Sequence, residues 1–390
     1  LSLSLSLSLS LSPLSLSGSL SLSLIWSPAP ERSPNSPDIH PWCEILGATG
    51  QPHCGRSWRW QPSSELRDRA CIFYSSTCHL KRQQIGMQKV VLNTPDGARI
   101  ELIRLNPNSC QNSRTPPCLL VHGLANNASI FTKMQSFLSE RGWDTWCVNL
   151  RTGRQRVPHG LQPHLQQDLQ TAITYIMEAT GSSSVHYVGF SMGATLGYML
   201  AASGMRDRIQ SLTVLAGGVH YQHSKYSKML FLLRPLKLLG YVPLKSAARK
   251  GSRILCDVRF VVNNKNVERS LVLKLLQEGF EDGALQDADD MIEFMKPRPS
   301  ARVQSVRQAV STISVPVFAV VGSADVQCPA VDALESAQLL PGPLTICQLG
   351  KDFGCKEEYG HFDCLLGTRA ETELFTPLDE WLRTHASEAL

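Results

Sequence analysis

The chain has 390 residues and a net charge of +5, and 43% of its residues are hydrophobic while 18% are charged. This composition supports a sizeable core and excludes wholesale disorder, and the charge is too small to indicate a nucleic-acid partner. No stretch approaches the ~20 consecutive apolar residues of a membrane-spanning helix. The twelve cysteines form no CxxC pair, so they indicate neither a zinc site nor a disulfide framework. The compartment is unknown from the sequence, and we take cytoplasmic as the default.

Residues 1–86 differ from the rest of the chain. They open with an almost perfect Leu-Ser alternation through Leu24, which a translated dinucleotide repeat would encode, and the first methionine is Met87. We interpret 1–86 as a low-complexity or disordered leader, or as a product of mistranslation, and 87–390 as the folded domain. A Cys/His metal module is the alternative, although its spacings match no common zinc pattern. Its candidate ligands are His40, Cys43, His53, Cys54, Cys71, Cys78 and His79.

From Met87 onward, strand-like and helix-like segments alternate. The predicted strands are, in chain order, Lys89–Asn93, Arg99–Leu105, Pro117–Val121, Asp144–Leu150, Val185–Phe190, Ile209–Ala216, Val315–Val321 and Leu344–Leu349. The predicted helices are Asn127–Arg141, Leu161–Ala179, Met192–Ser203, Pro329–Leu339 and Glu371–His385. Such alternation predicts an α/β fold with a mostly parallel, doubly wound sheet. The alternation of strands and helices is interrupted over about 217–310, which we interpret as an inserted, mainly helical cap.

The segment from Gly189 to Gly193 fits the pattern G-x-S-x-G, between a predicted strand and a predicted helix. This context is typical of a turn that exposes a nucleophilic serine in a strained backbone conformation, here Ser191. Side chains at Gly189 and Gly193 would collide with the neighbouring strand and helix. The alternative is a helix-packing glycine cluster that contains an incidental serine.

Two backbone amides are candidates for an oxyanion hole. His122-Gly123 ends an earlier predicted strand, and the N–H of Leu124 after it can pair with the N–H of Met192. Two such donors stabilise the developing oxyanion of an acyl-transfer transition state. We expect His122 to shape this turn rather than to act as a base.

A serine nucleophile needs a base, and the base needs an orienting acid. On this type of turn the expected chain order is serine, acid, histidine. Asp325 and His361 each follow a predicted strand in that order, so we predict them as acid and base. Asp352 and Asp363 are the alternatives for the acid, but Asp363 is better placed to cap the final helix or pin its loop. This chemistry requires no cofactor and no metal.

These motifs together resemble the α/β-hydrolase superfamily from about Val91 to Arg383. The motifs that carry the resemblance are His122-Gly123, Gly189-Phe-Ser-Met-Gly193, Gly322-Ser-Ala-Asp325 and Gly360-His361. The stretch from Gly142 to Arg151 resembles the family's fourth strand, but the Arg-Gly-x-Gly turn expected next reads Arg-Thr-Gly-Arg here. The ending Gly360–Gly367 is similar to that of acid lipases and polyhydroxyalkanoate synthases. Those synthases carry a cysteine nucleophile, so Ser191 favours hydrolysis. The resemblance implies the fold and the triad but no particular substrate.

The predicted cap contains an unusual basic stretch. From Ala216 to Cys256 there are eight basic residues and no acidic one, interleaved with apolar residues. One interpretation is a lid whose apolar side covers the active site. The other is a lid that also contacts anionic lipid or an acyl chain, and contact with lipid would be a peripheral membrane contact through the cap. The basic residues are Lys225, Lys228, Arg234, Lys237, Lys245, Arg249, Lys250 and Arg253.

The sequence therefore predicts a serine hydrolase that cleaves a carboxylic ester with a lipophilic acyl or alcohol part through an acyl-enzyme. Its expected partner is a small-molecule or lipid ester, not nucleic acid. An acyltransferase or thioesterase with the same triad is the alternative within enzymes. A catalytically silent binding protein on the same fold is the alternative outside them.

Overall fold

The centre of the computed structural model is an eight-stranded sheet. The structure describes residues 85–107, 115–226, 240–251 and 261–386, and all of them belong to one compact unit. The strands of this sheet are β1 (Ile85–Asn93), β2 (Arg99–Pro107), β3 (Cys118–Val121), β4 (Thr145–Asn149), β5 (Val185–Phe190), β6 (Ile209–Leu215), β9 (Val317–Gly322) and β10 (Leu344–Leu349). The proposed leader and its Cys/His alternative lie outside the described residues, except that β1 begins two residues before Met87.

The strand order is β1-β2-β4-β3-β5-β6-β9-β10. Strands β1 and β2 form an antiparallel hairpin around the predicted turn, and β2 pairs antiparallel with β4. All other neighbours in this sheet are parallel. The prediction of a mostly parallel sheet of this type is confirmed. The carboxyl ends of the parallel strands share one edge, where ligand sites form in such sheets.

The central strands are buried on both faces, which explains their continuous apolar sequences. In β3, for example, Leu119 and Val121 pack into one hydrophobic cluster, and Cys118 and Leu120 pack into the other. The helices between these strands are α1 (Thr132–Glu140), α2 (Gln170–Thr180), α3 (Met192–Ala201) and α8 (Ala330–Gln338), and the last strand is followed by α9 (Asp363–Leu366) and α10 (Thr376–Thr384). Helices α1 and α10 contribute to one cluster, and α2, α3 and α8 contribute to the other.

Three predicted helices begin differently from the sequence prediction. The first starts as a 3₁₀ turn, Ala128–Phe131, because the side chain of Asn127 accepts a hydrogen bond from the Ser129 amide and caps it. The second passes from Leu161–Pro163 through a π-helical stretch, His164–Leu169, into α2. The last likewise opens with a π-helical stretch, Glu371–Phe375. Periodicity alone does not reveal such departures, because each changes the spacing only over one or two turns.

Residues 217–310, the predicted cap, lie between β6 and β9, which are neighbours in the sheet. Their described elements are β7 (Tyr241–Val242), α4 (Leu244–Gly251), α5 (Arg269–Glu278), β8 (Gly283–Ala284), α6 (Leu285–Met295) and α7 (Ala301–Val310). Strands β7 and β8 form a small antiparallel sheet, and α4 packs against α5. We call this segment the insertion. In the part of the chain that the structure describes, no helix is long and apolar enough to cross a bilayer.

The turn between β5 and α3 has no room for side chains at its two glycines. A Cβ atom on Gly189 would lie 2.3 Å from the carbonyl oxygen of Gly193, and one on Gly193 would lie 2.2 Å from the carbonyl oxygen of Val121. Real Cβ contacts are essentially never shorter than 3.0 Å. The close approach of α3 to β3 and β5 therefore requires glycine at both positions.

We expect Gly193→Ala to lower the free energy of unfolding by about 2 kcal/mol or more, because the backbone of β3 or α3 must move to admit a methyl group. The matched control is Gly204→Ala, since Gly204 has no atom within 4 Å of its would-be Cβ and no left-handed φ. Urea denaturation of both variants measures the difference. Equal midpoints for the two would contradict this account of the turn.

Candidate active site

Ser191 occupies the turn between β5 and α3. Its backbone has φ 56° and ψ −117°, a strained conformation for a residue with a side chain. Two hydrogen bonds hold the backbone in this conformation. The Ser191 N–H donates to the carbonyl of Leu215 in β6 at 2.9 Å, and the Ser191 carbonyl accepts from the Ala194 N–H in α3 at 2.9 Å. The turn thus lifts the serine hydroxyl above the carboxyl edge of the sheet.

His361 connects Ser191 to Asp325. Its Nε2 lies 3.0 Å from Ser191 Oγ, and its Nδ1 lies 2.7 Å from Asp325 Oδ2. The imidazole is buried and packs against the rings of Phe190 and Phe362, which restrict its orientation. The structure brings these three predicted residues together from β5, β9 and the loop after β10. An Nδ1–H donated to Asp325 leaves Nε2 free to accept the serine proton.

The carboxylate of Asp325 is fixed by its own loop. Its Oδ1 accepts hydrogen bonds from the backbone N–H groups of Gln327 at 2.8 Å and Cys328 at 2.9 Å. Its Oδ2 is then directed at His361. One oxygen therefore holds the carboxylate in place while the other orients the imidazole.

The two alternative acids lie elsewhere. Asp352 is in an exposed 3₁₀ turn after β10. The buried Asp363 accepts from the Asn263 backbone N–H at 3.0 Å and from Asn266 Nδ2 at 3.1 Å. Burial raises the pKa of its carboxyl to about 6 despite these hydrogen bonds. Asp363 thus ties the loop of His361 to residues 263–266 of the insertion.

Leu124 and Met192, the two predicted oxyanion donors, follow β3 and begin α3. Within the described residues, neither backbone N–H donates to an acceptor in the protein. Gly123 lies directly against the serine, since a Cβ on it would be 3.0 Å from Ser191 Cβ. The loop that carries the Leu124 amide and the start of α3, which carries the Met192 amide, therefore meet beside the serine.

His122 holds the start of this loop. Its Nδ1 donates to the Gly123 carbonyl at 2.8 Å, and its Nε2 accepts from the Leu150 N–H at 3.2 Å. Burial lowers the pKa of His122 to about 4, so the ring is neutral at pH 7. With both nitrogens bonded to backbone groups, His122 shapes the turn and has no nitrogen available to serve Ser191.

Residues 122–126 follow β3, and we call them the oxyanion loop after the role predicted for the Leu124 amide. The insertion contacts this loop, and the sequence did not predict that contact. Ala125 has φ 53°, and its carbonyl accepts from the Glu281 N–H at 2.9 Å. Asn126 forms a β-bridge with Phe280 and donates its side-chain amide to the carbonyl of Gly279 at 3.2 Å. The conformation of this loop therefore depends on a segment more than 150 residues away in sequence.

A buried ionic cluster beneath the site was missed as well. The fully buried guanidinium of Arg151 lies 2.7 Å from carboxylate oxygens of both Asp96 and Asp168. His164 joins the cluster through Asp168 at 2.9 Å and Asp287 at 3.1 Å. Burial opposes a charge on His164, but the two carboxylates outweigh it and raise its pKa to about 10. His164 and Asp168 both belong to the π-helical stretch His164–Leu169.

No group of three or more His, Cys, Asp or Glu residues that could hold a metal ion occurs in the described part of the chain. The site itself combines a hydroxyl, an imidazole and a carboxylate in one hydrogen-bonded series, beside two backbone amides that have no acceptor among the described residues. This set can carry out acyl transfer.

Comparison with known proteins supports the same fold. A family model described as "alpha/beta hydrolase fold" matches residues 116–261. Human lipase member M is 26% identical over 181 residues, covering 40% of this chain and 43% of that protein. The chain thus spans less than half the length of this curated relative.

Two solved structures share the fold. The enol-lactonase from Burkholderia xenovorans LB400 has a TM-score of 0.54 at 14% identity, covering 75% of this chain and all of that one. A thermophilic esterase from Thermogutta terrifontis has a TM-score of 0.53 at 16% identity, covering 77% of this chain and all of that one. At these identities the likeness concerns the fold alone. The sheet, the family match and these neighbours together show that the chain has the α/β-hydrolase fold.

Proposed function

We propose that this protein is a serine hydrolase that cleaves a carboxylic ester through an acyl-enzyme. The observation that carries the proposal is the unbroken hydrogen-bonded series from Ser191 Oγ to His361 Nε2 at 3.0 Å and from His361 Nδ1 to Asp325 Oδ2 at 2.7 Å. Such a series activates a hydroxyl that is otherwise a poor nucleophile at neutral pH.

In the first half-reaction, Ser191 Oγ attacks the carbonyl carbon of the ester and its proton moves to His361 Nε2. The carbonyl oxygen becomes an oxyanion, which the N–H groups of Leu124 and Met192 stabilise. When the tetrahedral intermediate collapses, the bond to the alcohol oxygen breaks and His361 returns the proton to the leaving alcohol. Asp325 balances the charge of the imidazolium throughout.

In the second half-reaction, water replaces the alcohol. His361 Nε2 takes a proton from the water as its oxygen attacks the acyl carbon, and the same oxyanion donors act again. Collapse breaks the bond to Ser191 Oγ, which takes the proton back from His361. The carboxylic acid then leaves, and the enzyme returns to its starting state without a cofactor or metal.

An ester is the substrate class that the relatives favour. Lipase member M and the Thermogutta terrifontis protein are described as a lipase and an esterase, so their names support an ester hydrolase here. The apolar residues of the Ala216–Cys256 stretch support a lipophilic part in that ester. An acyltransferase or a thioesterase would use the same residues and differ only in the acyl acceptor or the bond cleaved.

The first prediction that follows from the proposed function concerns the nucleophile. We expect Ser191→Ala to lower kcat for a short-chain ester by about 10³-fold or more, because only binding and oxyanion stabilisation remain. His361→Ala is expected to be about as damaging, and the double variant little worse than either. Steady-state kinetics with a p-nitrophenyl ester measures this.

The control for this prediction is labelling by a fluorophosphonate probe, which reacts with an activated serine. Wild-type protein should be labelled at Ser191, and both single variants should not. A wild-type protein that folds but is neither labelled nor active would favour the silent binding protein instead. Product analysis with added alcohol or thioester then separates hydrolase, acyltransferase and thioesterase.

The second prediction concerns the acid. Asp325→Asn should lower kcat by about 10³-fold, because the amide cannot stabilise the imidazolium and favours the wrong tautomer. Asp363→Asn is the matched control and should cost less than about tenfold, since its oxygen can still accept from the Asn263 N–H. Kinetics on the same ester compares the two. A larger loss for Asp363→Asn would show that the acid is wrongly assigned.

We further propose that the insertion is a cap that covers the site and meets an anionic lipid surface. The hydrogen bonds that join it to the oxyanion loop and to the His361 loop support the first part. For the second part, the side chains of Lys225 and Lys250 are exposed, whereas Lys245 is paired with Glu281 at 2.7 Å. Residues 227–239 and 252–260, which contain Lys228, Arg234, Lys237 and Arg253, lie outside the described residues.

The third prediction tests this lipid contact. Replacing Lys225, Lys228, Lys237 and Lys250 with Gln should reduce co-sedimentation with vesicles that contain phosphatidylserine. Wild-type association should itself weaken with salt, because exposed charges are screened over ~10 Å at 0.1 M. Turnover of a small soluble ester serves as the control for folding. Absence of wild-type binding at low salt would leave the insertion as a simple cover of the site.

A further inference from the structure

Asn127 lies between the oxyanion loop and the 3₁₀ turn Ala128–Phe131. Its side chain is buried, and both ends of its amide are bonded to protein groups. The oxygen Oδ1 accepts from the Ser129 N–H at 3.0 Å and from the Ser129 hydroxyl at 2.6 Å, which caps the turn. The nitrogen Nδ2 donates to the insertion, more than 150 residues away in sequence. One side chain therefore connects the end of the oxyanion loop to the insertion.

The two acceptors of Asn127 Nδ2 lie at and just after the end of α5. They are the Glu278 carbonyl oxygen at 2.6 Å and the Glu281 carboxylate at 3.2 Å. Lys245 also pairs with this carboxylate at 2.7 Å, which holds it in place. Neither acceptor has a proton to offer, so the bonding group must supply two N–H or O–H donors. A side-chain amide meets this need and still caps the 3₁₀ turn with its oxygen.

The connection affects the Leu124 amide through Ala125. Only residues 122–126 separate Asn127 from β3. Within them Ala125 has φ 53°, a left-handed conformation that is unfavourable for a residue with a side chain and persists only where its surroundings hold it. Glu281 holds it from the insertion, because its N–H donates to the Ala125 carbonyl at 2.9 Å. Glu281 is therefore bonded to Ala125 by its backbone and to Asn127 by its side chain.

We propose that Asn127 is a positioning residue, which keeps the Leu124 amide directed at the oxyanion by tying the oxyanion loop to residues 278–281. The inference rests on the proposed ester hydrolysis and deepens it. If the tie is lost, Ala125 can leave its strained conformation, and the neighbouring N–H of Leu124 turns away. The loss concerns the transition state more than the bound ester, because the full negative charge on the carbonyl oxygen develops only there. We therefore expect kcat to fall while KM changes little.

The main test is Asn127→Asp, which keeps an oxygen to cap the turn but places a second oxygen against the two acceptors. It should lower kcat for a p-nitrophenyl ester by about 10- to 100-fold, somewhat less than deletion of an oxyanion donor, with KM within about twofold of wild type. The Ki of an alkyl trifluoromethyl ketone, whose adduct with Ser191 carries an oxyanion, should rise by the same factor as kcat/KM falls.

Active sites are counted by fluorophosphonate titration, so that unfolded protein does not lower the measured kcat. A role in stability alone would reduce the number of titrated sites but would change neither kcat per site nor the Ki. A second variant, Asn127→Ser, keeps a hydroxyl that can cap the turn but is too short to reach Glu278. It introduces no charge and should also lower kcat per site, by about fivefold or more for the displaced donor.

Rescue is tested by adding Glu281→Gln to Asn127→Asp, which exchanges donor and acceptor between the two positions. The introduced amide can donate to the introduced carboxylate, so kcat should rise at least about threefold above that of Asn127→Asp alone. The matched control is Asn93→Asp, the same change in charge at an exposed position in β1. It should leave kcat and the Ki of the ketone unchanged.

An active wild-type protein with unchanged kcat per site in both Asn127 variants would overturn the role of Asn127 and leave the proposed hydrolysis intact. A raised KM with unchanged kcat would overturn it as well, since uniform binding would then be what Asn127 supports. A wild-type protein that is folded but has neither esterase activity nor fluorophosphonate labelling would instead refute the proposed hydrolysis, and the role of Asn127 with it.

Discussion

The arrangement of the site depends on how closely α3 approaches β3. Gly193 lies against the carbonyl oxygen of Val121 so tightly that a Cβ atom would be 2.2 Å from it. That approach sets the height of Ser191 above the sheet, brings the Met192 amide to the side of the loop after β3, and places the serine within 3.0 Å of His361. A methyl group at Gly193 would therefore shift Ser191, the Met192 amide and the distance from Ser191 to His361 together.

The insertion is part of the site as well as an addition to the fold. Its residues 279–281 bond to Ala125 and Asn126 in the oxyanion loop, while its Asn263 and Asn266 bond to Asp363, two residues after His361. A movement of the insertion would therefore shift the loop with the proposed oxyanion donor and the loop with the proposed base.

The sequence by itself predicted a mostly parallel sheet, the turn around Ser191 and the chain order of the proposed serine, acid and histidine, since each follows from short-range periodicity or a local motif. It favoured Asp325 as the acid but kept Asp352 and Asp363 as alternatives, because sequence position does not give the direction of a side chain. Only the tertiary structure directs Asp325 Oδ2 at the imidazole and Asp363 at Asn263. Likewise, the cluster around Arg151 joins residues from distant segments, and such long-range contacts leave no periodic signal in the chain.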